Sequence, residues 1–487
     1  MRLSALLPDN GISGKHSPEA ITVNGVCDHT DKLKKGMLFI MKKGLRTDAA
    51  RFLDIIERKE AAALLTARGT ALPRETTLPC FYADDIALAE AKIWERYYGD
   101  PARRMRILGV TGTNGKTSTA EFLAQLLGAS GVRTAYMGTL GTHLGGVSVE
   151  EGEDTMTTPT VEVLYRRLRK LADLGTKVLV MEVSSHAASQ GRVALLHFES
   201  LIFTNLTEDH LDYHGDMESY FSAKRSLFKQ AELAIVNKDD LYGERLLREL
   251  SIPKRSVGII ENADYSISDL HEKGYKSTQY VCVSPFGKFS VCYPFFGSFH
   301  VYNTLLAITA ALAFGLCPEE IRRATLTLKP PKGRLEVLQI NREYTVIIDY
   351  AHTPDAMERA IKTVKRRSRG RLFVVFGAGG EREREKRPTM GRIATDLATH
   401  VFITADNPRA EDEEQIFGDI LVGITEKNNY SVIKDRAEAI RTALRSARKD
   451  DTILLLGKGH EEYLLVGKEK KFFSEREIVY EHLRKEE

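Results

Sequence analysis

The chain has 487 residues, 43% of them hydrophobic, so it can bury several cores, and two to four domains are expected. Lys plus Arg (70) nearly balance Asp plus Glu (67), a net charge of +3, and no basic stripe marks a nucleic-acid partner. Cys27, Cys80, Cys282, Cys292 and Cys317 are odd in number and lack C-x-x-C spacing, which argues against a disulfide framework or a zinc site and for a reducing compartment. No basic start leads into a long apolar N-terminal region, and the most apolar long stretch, 301–317, contains Asn303 and Thr304 and is too short to span a bilayer. A cytoplasmic enzyme without membrane insertion is the expectation.

Residues 1–100 read as a small α/β unit, with a short strand at 37–40, helical spacing over 49–59 and 86–98, and a break at Asp100-Pro101. The stretch RILGVTGTNGKTST at 106–119 organises the middle of the chain. An apolar strand at 107–110 enters a Gly-rich turn, which delivers Lys116 and Thr117 into a helix with apolar positions Phe122, Leu123, Leu126 and Leu127. That order suits a phosphate loop. Gly112 and Gly115 let the backbone approach an anion, the helix N-terminus adds partial positive charge, Lys116 reaches outer phosphates and the Thr117 hydroxyl can hold Mg²⁺. Val110 stands where the general pattern has a glycine. The bland alternative is a Gly-rich turn between strand and helix; nucleotide binding is the stronger reading.

From 101 to 333 strands alternate with helices, which predicts a mostly parallel sheet with ligands at the strands' C-terminal ends. Strands are expected at 177–183, 201–205 and 233–237, each carrying a polar residue near its end: Glu182, Asn205 and Asn237. MEVSSH at 181–186 sets the Glu182 carboxylate across from the phosphate loop, where it can ligate Mg²⁺. TEDHLDYH at 207–214 packs three acids and two histidines behind the next strand. In the helix that starts at Met217, Tyr220, Phe221, Leu227 and Phe228 fall on one face and Lys224 lies mid-stripe. A lone lysine there can snorkel to solvent; the functional alternative is a lysine held in the site, shifted toward the neutral amine. The segment 265–293 reads as antiparallel excursions, and the stretch after Gly297 as a helix containing Asn303.

A second alternating unit begins near 334, with strands at 346–349, 372–376, 401–404, 430–433 and 453–456. KGRLE at 332–336 offers Arg334 for phosphate charge next to Pro330-Pro331, with a surface arginine at a hinge as the competing reading. DYAHTPD at 349–355, GAGGER at 377–382, DNPR at 406–409 and GKGHE at 457–461 each come directly after a strand. Four charged loops on one sheet edge make a binding face.

These motifs, with AKRSLF at 223–228 and VYN at 301–303, occur in the order and approximate spacing of the Mur ligases, and the chain resembles that family over nearly its whole length. The resemblance implies three α/β domains: a uridine-nucleotide domain at 1–100, a central P-loop ATPase-like domain at 101–333 and a Rossmann-like amino-acid domain at 334–487. It implies an ATP-dependent amide ligase of peptidoglycan precursor synthesis. Such an enzyme adds meso-diaminopimelate to UDP-MurNAc-L-Ala-D-Glu through an acyl phosphate, as a monomer. By resemblance Gly112, Thr113, Asn114, Gly115, Lys116, Thr117 and Ser118 hold ATP phosphates. Thr117 and Glu182 serve the first Mg²⁺, and His210 and a carbamylated Lys224 the second. Asn303 is implied at the adenine, Arg334 at the γ-phosphate, and Asp349 at the ribose with His352 nearby. Thr157, Thr158, Ser184 and Arg192 fall where the family grips the nucleotide-sugar peptide. Arg382, Asp406, Asn407, Arg409, Gly457 and Glu461 fall where it receives the amino acid.

The sequence departs from the family pattern at Asp28-His-Thr30, Met37, Asp48-Ala49, Met156, His300, Glu381, Glu383 and Glu413. The first of these bear on uridine recognition, the last on the amino-acid pocket. A folylpolyglutamate-type or other Mur-like ligase, the same step with lysine or ornithine, and a nucleotide-gated protein that no longer ligates stand as alternatives.

Overall fold

In the computed structural model, which describes residues 1–42, 49–72, 74–149, 156–260, 262–425, 427–467 and 469–485, strands and helices alternate along most of the chain. Asp48 of the Asp48-Ala49 departure lies outside the described residues. Two compact units are distinguished: Met1–Gly109, Val132–Leu201 and Ala223–Glu232 form the first, and Val110–Gly131, Ile202–Ser222 and Leu233–Glu487 the second.

The first unit opens with a five-stranded sheet in the order Ile12–Gly14, Cys80–Ala83, Ala63–Ala67, Met37–Met41, Gly25–Cys27. The first strand is antiparallel and the other four are parallel. Leu38, Phe39, Ile40, Leu64 and Leu65 are buried in it, as expected when helices cover a parallel sheet. The helix Ile86–Tyr98 has the expected bounds: the Asp85 side chain accepts from Leu88 N–H at its start, and Gly99, at φ 73°, ends it. The expected helix over 49–59 resolves into a 3₁₀ turn, Ala49–Phe52, and a short α-helix, Leu53–Arg58.

The central sheet has eight strands in the order Lys254–Val257, Ala231–Asn237, Phe198–Phe203, Arg106–Thr111, Val178–Glu182, Thr134–Gly138, Gly141–Leu144, Val147–Ser148. Val178–Glu182 runs parallel to Thr134–Gly138, and Ala231–Asn237 parallel to Lys254–Val257. The expected strand at 201–205 in fact covers Phe198–Phe203, so Asn205 sits past its end, free of ladder geometry. The helix predicted from Met217 is α-helical to Ser226 and tightens into a 3₁₀ turn over Leu227–Gln230. Even so, Tyr220, Phe221, Leu227 and Phe228 are all buried, as their spacing required.

The second unit contains a six-stranded sheet in the order Glu336–Val337, Thr345–Asp349, Thr452–Leu456, Leu372–Phe376, His400–Ile403, Tyr430–Val432. All but the first strand are parallel. Helices cover both faces, with Met357, Ile361 and Met390 on one and Ile440, Leu444 and Val479 on the other. The loops 349–355, 377–382, 406–409 and 457–461 therefore leave the same edge. The 265–293 segment is the expected antiparallel sheet, Ser266–Lys273, Ser277–Ser284 and Gly287–Tyr293. The helix Lys116–Ala129 packs on Ser298–Phe314, a helix buried on nearly every side. Among the described residues no helix is long and apolar enough to cross a membrane.

Candidate functional site

In the second unit the loop 111–115 is held from below by the chain that leaves Phe198–Phe203. Asn205 accepts from Asn114 N–H at 2.9 Å and donates back to the Asn114 carbonyl at 3.1 Å, while the Thr204 hydroxyl donates to that carbonyl at 2.6 Å. Thr113 N–H donates to the Asn205 carbonyl at 2.8 Å, and the Thr113 hydroxyl meets Tyr220 at 3.1 Å. Sterics explain both glycines. Gly112 has φ 141°, and a Cβ there would lie 2.0 Å from the Thr204 hydroxyl; Gly115 has φ 85°, and its Cβ would lie 2.5 Å from Asn303 Oδ1. Gly115 caps the helix Lys116–Ala129 without a side-chain bond of its own, the arrangement an anion site needs. Lys116 folds back on the loop, donating to the Gly112 and Thr113 carbonyls at 3.1 and 2.8 Å. Thr117 and Ser118 are buried in the first turn.

Three further groups converge on this loop. Asn303 Oδ1 accepts from the Thr119 hydroxyl at 3.3 Å. Arg334 Nη2 reaches the Thr117 hydroxyl at 3.4 Å, and its guanidinium lies 4.7 Å over the Tyr350 ring. Asn114 Nδ2 reaches Asp355 Oδ2 at 3.4 Å. Asp349 is buried and accepts from Leu335 and Ala351 N–H at 2.7 and 2.9 Å, so it fixes the arginine's loop; burial holds its carboxyl above the usual range, against the pull of Arg334. His352 is exposed and donates from Nδ1 to the Tyr350 carbonyl at 2.8 Å. Gly333 is required by packing as well as by its φ of 65°: a Cβ would lie 2.2 Å from the Gly459 backbone. His300 is enclosed by Phe122, Phe295 and Phe299 and lies 3.3 Å from the Arg334 carbonyl. Burial pushes its pKa down to about 3, so it stays neutral.

His210 takes φ 57°, a strained setting for a residue other than glycine, held by its N–H donating to Asp209 Oδ1 at 3.0 Å. Its Nε2 lies 3.5 Å from Asp209 Oδ2.

In the first unit, Glu182 ends its strand fully buried. It accepts from the Tyr136 hydroxyl at 2.5 Å, Thr139 N–H at 3.0 Å and the Thr139 hydroxyl at 3.2 Å. Gly138 makes room, since a Cβ would lie 2.3 Å from Glu182 Oε1. Around it the expected substrate residues gather. Thr157 meets the Thr139 hydroxyl at 3.1 Å; Thr158 donates to the Glu182 carbonyl at 3.0 Å and accepts from Ser184 N–H at 2.9 Å. Ser184 caps the helix Ser185–Ser189. Arg192 donates to the Thr158 carbonyl at 2.7 Å and to Gln190 Oε1 at 2.9 and 2.6 Å. Lys224 is 1% exposed, within the apolar stripe expected for it.

The remaining loops of the second unit form a third cluster. Asn407 Nδ2 donates to Glu461 Oε2 at 2.9 Å, and Asp406 Oδ1 accepts from Asn407 N–H at 2.6 Å. Gly457, at φ 108°, leaves space that a Cβ would take from Asp406 Oδ2 at 2.6 Å. Arg409, half-buried at φ 55°, donates to the Gly380 carbonyl at 2.7 Å. Desolvation and the neighbouring Arg382 hold its pKa below the usual guanidinium value. Arg382 itself is exposed. Tyr136, Thr139, Gly138, Asp355, Tyr350 and Lys458 escaped the sequence reading. Only Tyr350, Asp355 and Lys458 stand inside recognised motifs, where a signal was available.

A phosphate loop on a mostly parallel sheet, with a second mostly parallel sheet presenting charged loops at one edge, defines a nucleotide-dependent α/β enzyme. Residues 110–311 match the Mur ligase middle domain, and 333–459 match the Mur ligase glutamate ligase domain. A protein of Bacillus cereus named UDP-N-acetylmuramoyl-L-alanyl-D-glutamate–2,6-diaminopimelate ligase is 36% identical, over 98% of this chain and 97% of its own. Its namesake in Trichormus variabilis is 41% identical over 93% of both. A solved structure of a ligase with the same name superposes with a TM-score of 0.67 at 30% identity, covering 97% of each chain. The Mycobacterium tuberculosis folylpolyglutamate synthase complexed with ADP and AMPPCP shares the fold at a TM-score of 0.64 and 19% identity, over 76% of this chain. The chain belongs to the Mur ligase family.

Proposed function

We propose that this protein joins meso-diaminopimelate to the D-Glu γ-carboxylate of UDP-MurNAc-L-Ala-D-Glu at the expense of ATP, in peptidoglycan precursor synthesis. The observation that carries the proposal is its 36–41% identity to enzymes of that name over 93–98% of its length. The substrate carboxylate attacks the γ-phosphorus, giving an acyl phosphate and ADP; the amine then attacks the acyl carbon and phosphate leaves. Two anions meet in the first step, so the site must supply cations before it supplies anything else. Lys116, poised over the Gly112 and Thr113 carbonyls, is assigned to the outer phosphates. Arg334, held on the Tyr350 ring, is assigned to the γ-phosphate. Residues 112–118, Asn303, Asp349 and His352 are assigned to the remainder of ATP.

The chain's own donors suit Mg²⁺. Among the described residues no three His, Cys, Asp or Glu side chains converge as a metal cage, and Mg²⁺ does not ask for one, since it is held by one or two carboxylates with water and phosphate. Glu182, aligned by Tyr136 and Thr139 in the space left by Gly138, and the Thr117 hydroxyl are assigned to one ion; His210 and Lys224, carbamylated to an anion, to a second. Bound Mg²⁺ supplies charge neutralisation for the transferred phosphoryl group.

Thr157, Thr158, Ser184 and Arg192 are assigned to the nucleotide-sugar peptide. Arg382, Asp406, Asn407, Arg409, Gly457 and Glu461 are assigned to diaminopimelate. Three domains at 1–100, 101–333 and 334–487 divide these tasks, in a cytoplasmic monomer. The test is phosphate release with UDP-MurNAc-dipeptide against a panel of amino acids. Diaminopimelate should stand far above glutamate, lysine and ornithine; release driven by a folate and glutamate instead would replace the proposal.

A further inference from the structure

The GKGHE turn holds a side chain for which the proposed reaction has no direct use. Gly457 and Gly459 both have positive φ, 108° and 54°, and both are pressed against neighbours: a Cβ on Gly459 would lie 2.6 Å from Tyr350 Cβ. Between them Lys458 is driven inward and has 0% of its side chain exposed. Its ammonium lies 2.9 Å from Asn407 Oδ1, 3.0 Å from Glu461 Oε2, 3.8 Å from Asp406 Oδ1 and 5.1 Å below the Tyr463 ring.

The geometry around Glu461 is asymmetric. Oε2 takes two strong donors, Lys458 Nζ and Asn407 Nδ2 at 2.9 Å, whereas Oε1 takes the weaker Tyr350 hydroxyl at 3.4 Å, with the Tyr463 hydroxyl also near the carboxylate. The Asn407 amide is oriented by the same cation, because its Oδ1 accepts Lys458 Nζ together with Leu465 N–H at 2.9 Å. The carboxylate is thus anchored by one oxygen and offers the other.

We propose that Lys458 is a positioning residue for the incoming amino acid: its buried ammonium holds Asn407 and Glu461 so that Glu461 Oε1 meets the substrate's ammonium. The proposal rests on the reading of this loop cluster as the amino-acid site. Lys458 touches no substrate. A simple staple would raise thermal stability and leave substrate affinity alone, whereas a positioning group acts on one substrate of the three.

The test uses the full-length enzyme with ATP, UDP-MurNAc-dipeptide and diaminopimelate, and compares wild type with Lys458→Met and Lys458→Gln. Losing a charge-assisted bond on each of two pocket groups predicts a KM for diaminopimelate raised by at least about tenfold. The KM values for ATP and the dipeptide should stay within about twofold, and kcat at saturation within about threefold. Asn407→Ala should add less in the Lys458→Met background than in wild type, since both act through Glu461. Lys458→Gln, which keeps a donor, provides the second variant if Lys458→Met folds poorly. An unchanged KM for diaminopimelate in a folded variant overturns the proposal, and so do equal increases for all three substrates. A wild-type enzyme that ligates no diaminopimelate overturns the underlying reading instead, before any variant is compared.

Discussion

Diaminopimelate and lysine differ at the far end of the side chain, where the first carries a carboxylate beside its amine. Arg409 is the residue assigned to that carboxylate, and Arg409→Ala is the informative perturbation. The arginine is half-buried, its backbone is pinned by Leu465 at 2.9 Å, and its Nη1 already holds the Gly380 carbonyl at 2.7 Å. Pre-ordering of this kind leaves little rotamer entropy to be lost on binding, so most of a two-bond guanidinium–carboxylate contact reaches the affinity. Breaking a desolvated charge pair costs about 3–5 kcal/mol, or two to three and a half decades. Part of that range is forfeited because Arg409 is only half-buried and Arg382 shares the site, so about a hundredfold loss in kcat/KM for diaminopimelate is expected. Lysine has only an ammonium at that far end, so the guanidinium finds no carboxylate there and wild type should disfavour lysine by a similar factor. The assay is initial-rate ligation with each amino acid, with ATP and dipeptide saturating. Comparable efficiency of wild type with lysine would refute the reasoning, as would an Arg409→Ala enzyme whose KM for ATP rises as much as its KM for diaminopimelate.

Lys224→Ala should be almost inactive, with partial recovery on adding a short carboxylic acid; full activity without the acid would exclude a carbamate. Gly138→Ala puts a Cβ 2.3 Å from Glu182 Oε1 and should raise the Mg²⁺ concentration needed for half-maximal rate at least about tenfold, read from Mg²⁺ titrations. Gly115→Ala combines φ 85° with a Cβ 2.5 Å from Asn303, and should weaken nucleotide binding, measured by calorimetry, more than it lowers stability. His300, neutral with a pKa near 3 against an ordinary value of 6.5, cannot take the proton that the unfolded chain takes as pH falls below 6.5. Wild type should therefore lose about 2 kcal/mol more stability than His300→Gln between pH 7.5 and pH 5, by urea unfolding; parallel losses would show that His300 protonates in the fold.

The helices and buried strands were legible because their signals are local. Asp85 and Gly99 bracket Ile86–Tyr98, and the stripe of Tyr220, Phe221, Leu227 and Phe228 named the buried face on which Lys224 sits. Strand ends were read less well: Phe198, Glu199 and Ser200 belong to a strand whose apolar run begins only at Leu201, since ladder hydrogen bonds do not depend on side-chain polarity. Most of what positions the site comes from distant chain. Gly138 reads as an ordinary glycine until Glu182 is folded against it, and Thr204 and Asn205 grip Asn114 of the phosphate loop from 90 and 91 residues away. KGRLE drew attention to Arg334, but only the fold shows that the missing side chain of Gly333 admits the Gly459 backbone. Lys458 lay inside a recognised motif, yet only the fold shows that its ammonium is buried.

The central claim is that ATP cleavage is coupled to one amide bond between a nucleotide-sugar dipeptide and diaminopimelate. The most direct measurement incubates the purified protein with ATP, Mg²⁺, UDP-MurNAc-L-Ala-D-Glu and meso-diaminopimelate, quantifying ADP and weighing the nucleotide-sugar product by mass spectrometry. One ADP for each product heavier by one diaminopimelate residue is predicted, with neither formed when any of the three substrates is left out. ADP released without that product, or the same ADP yield when the dipeptide is omitted, would contradict it.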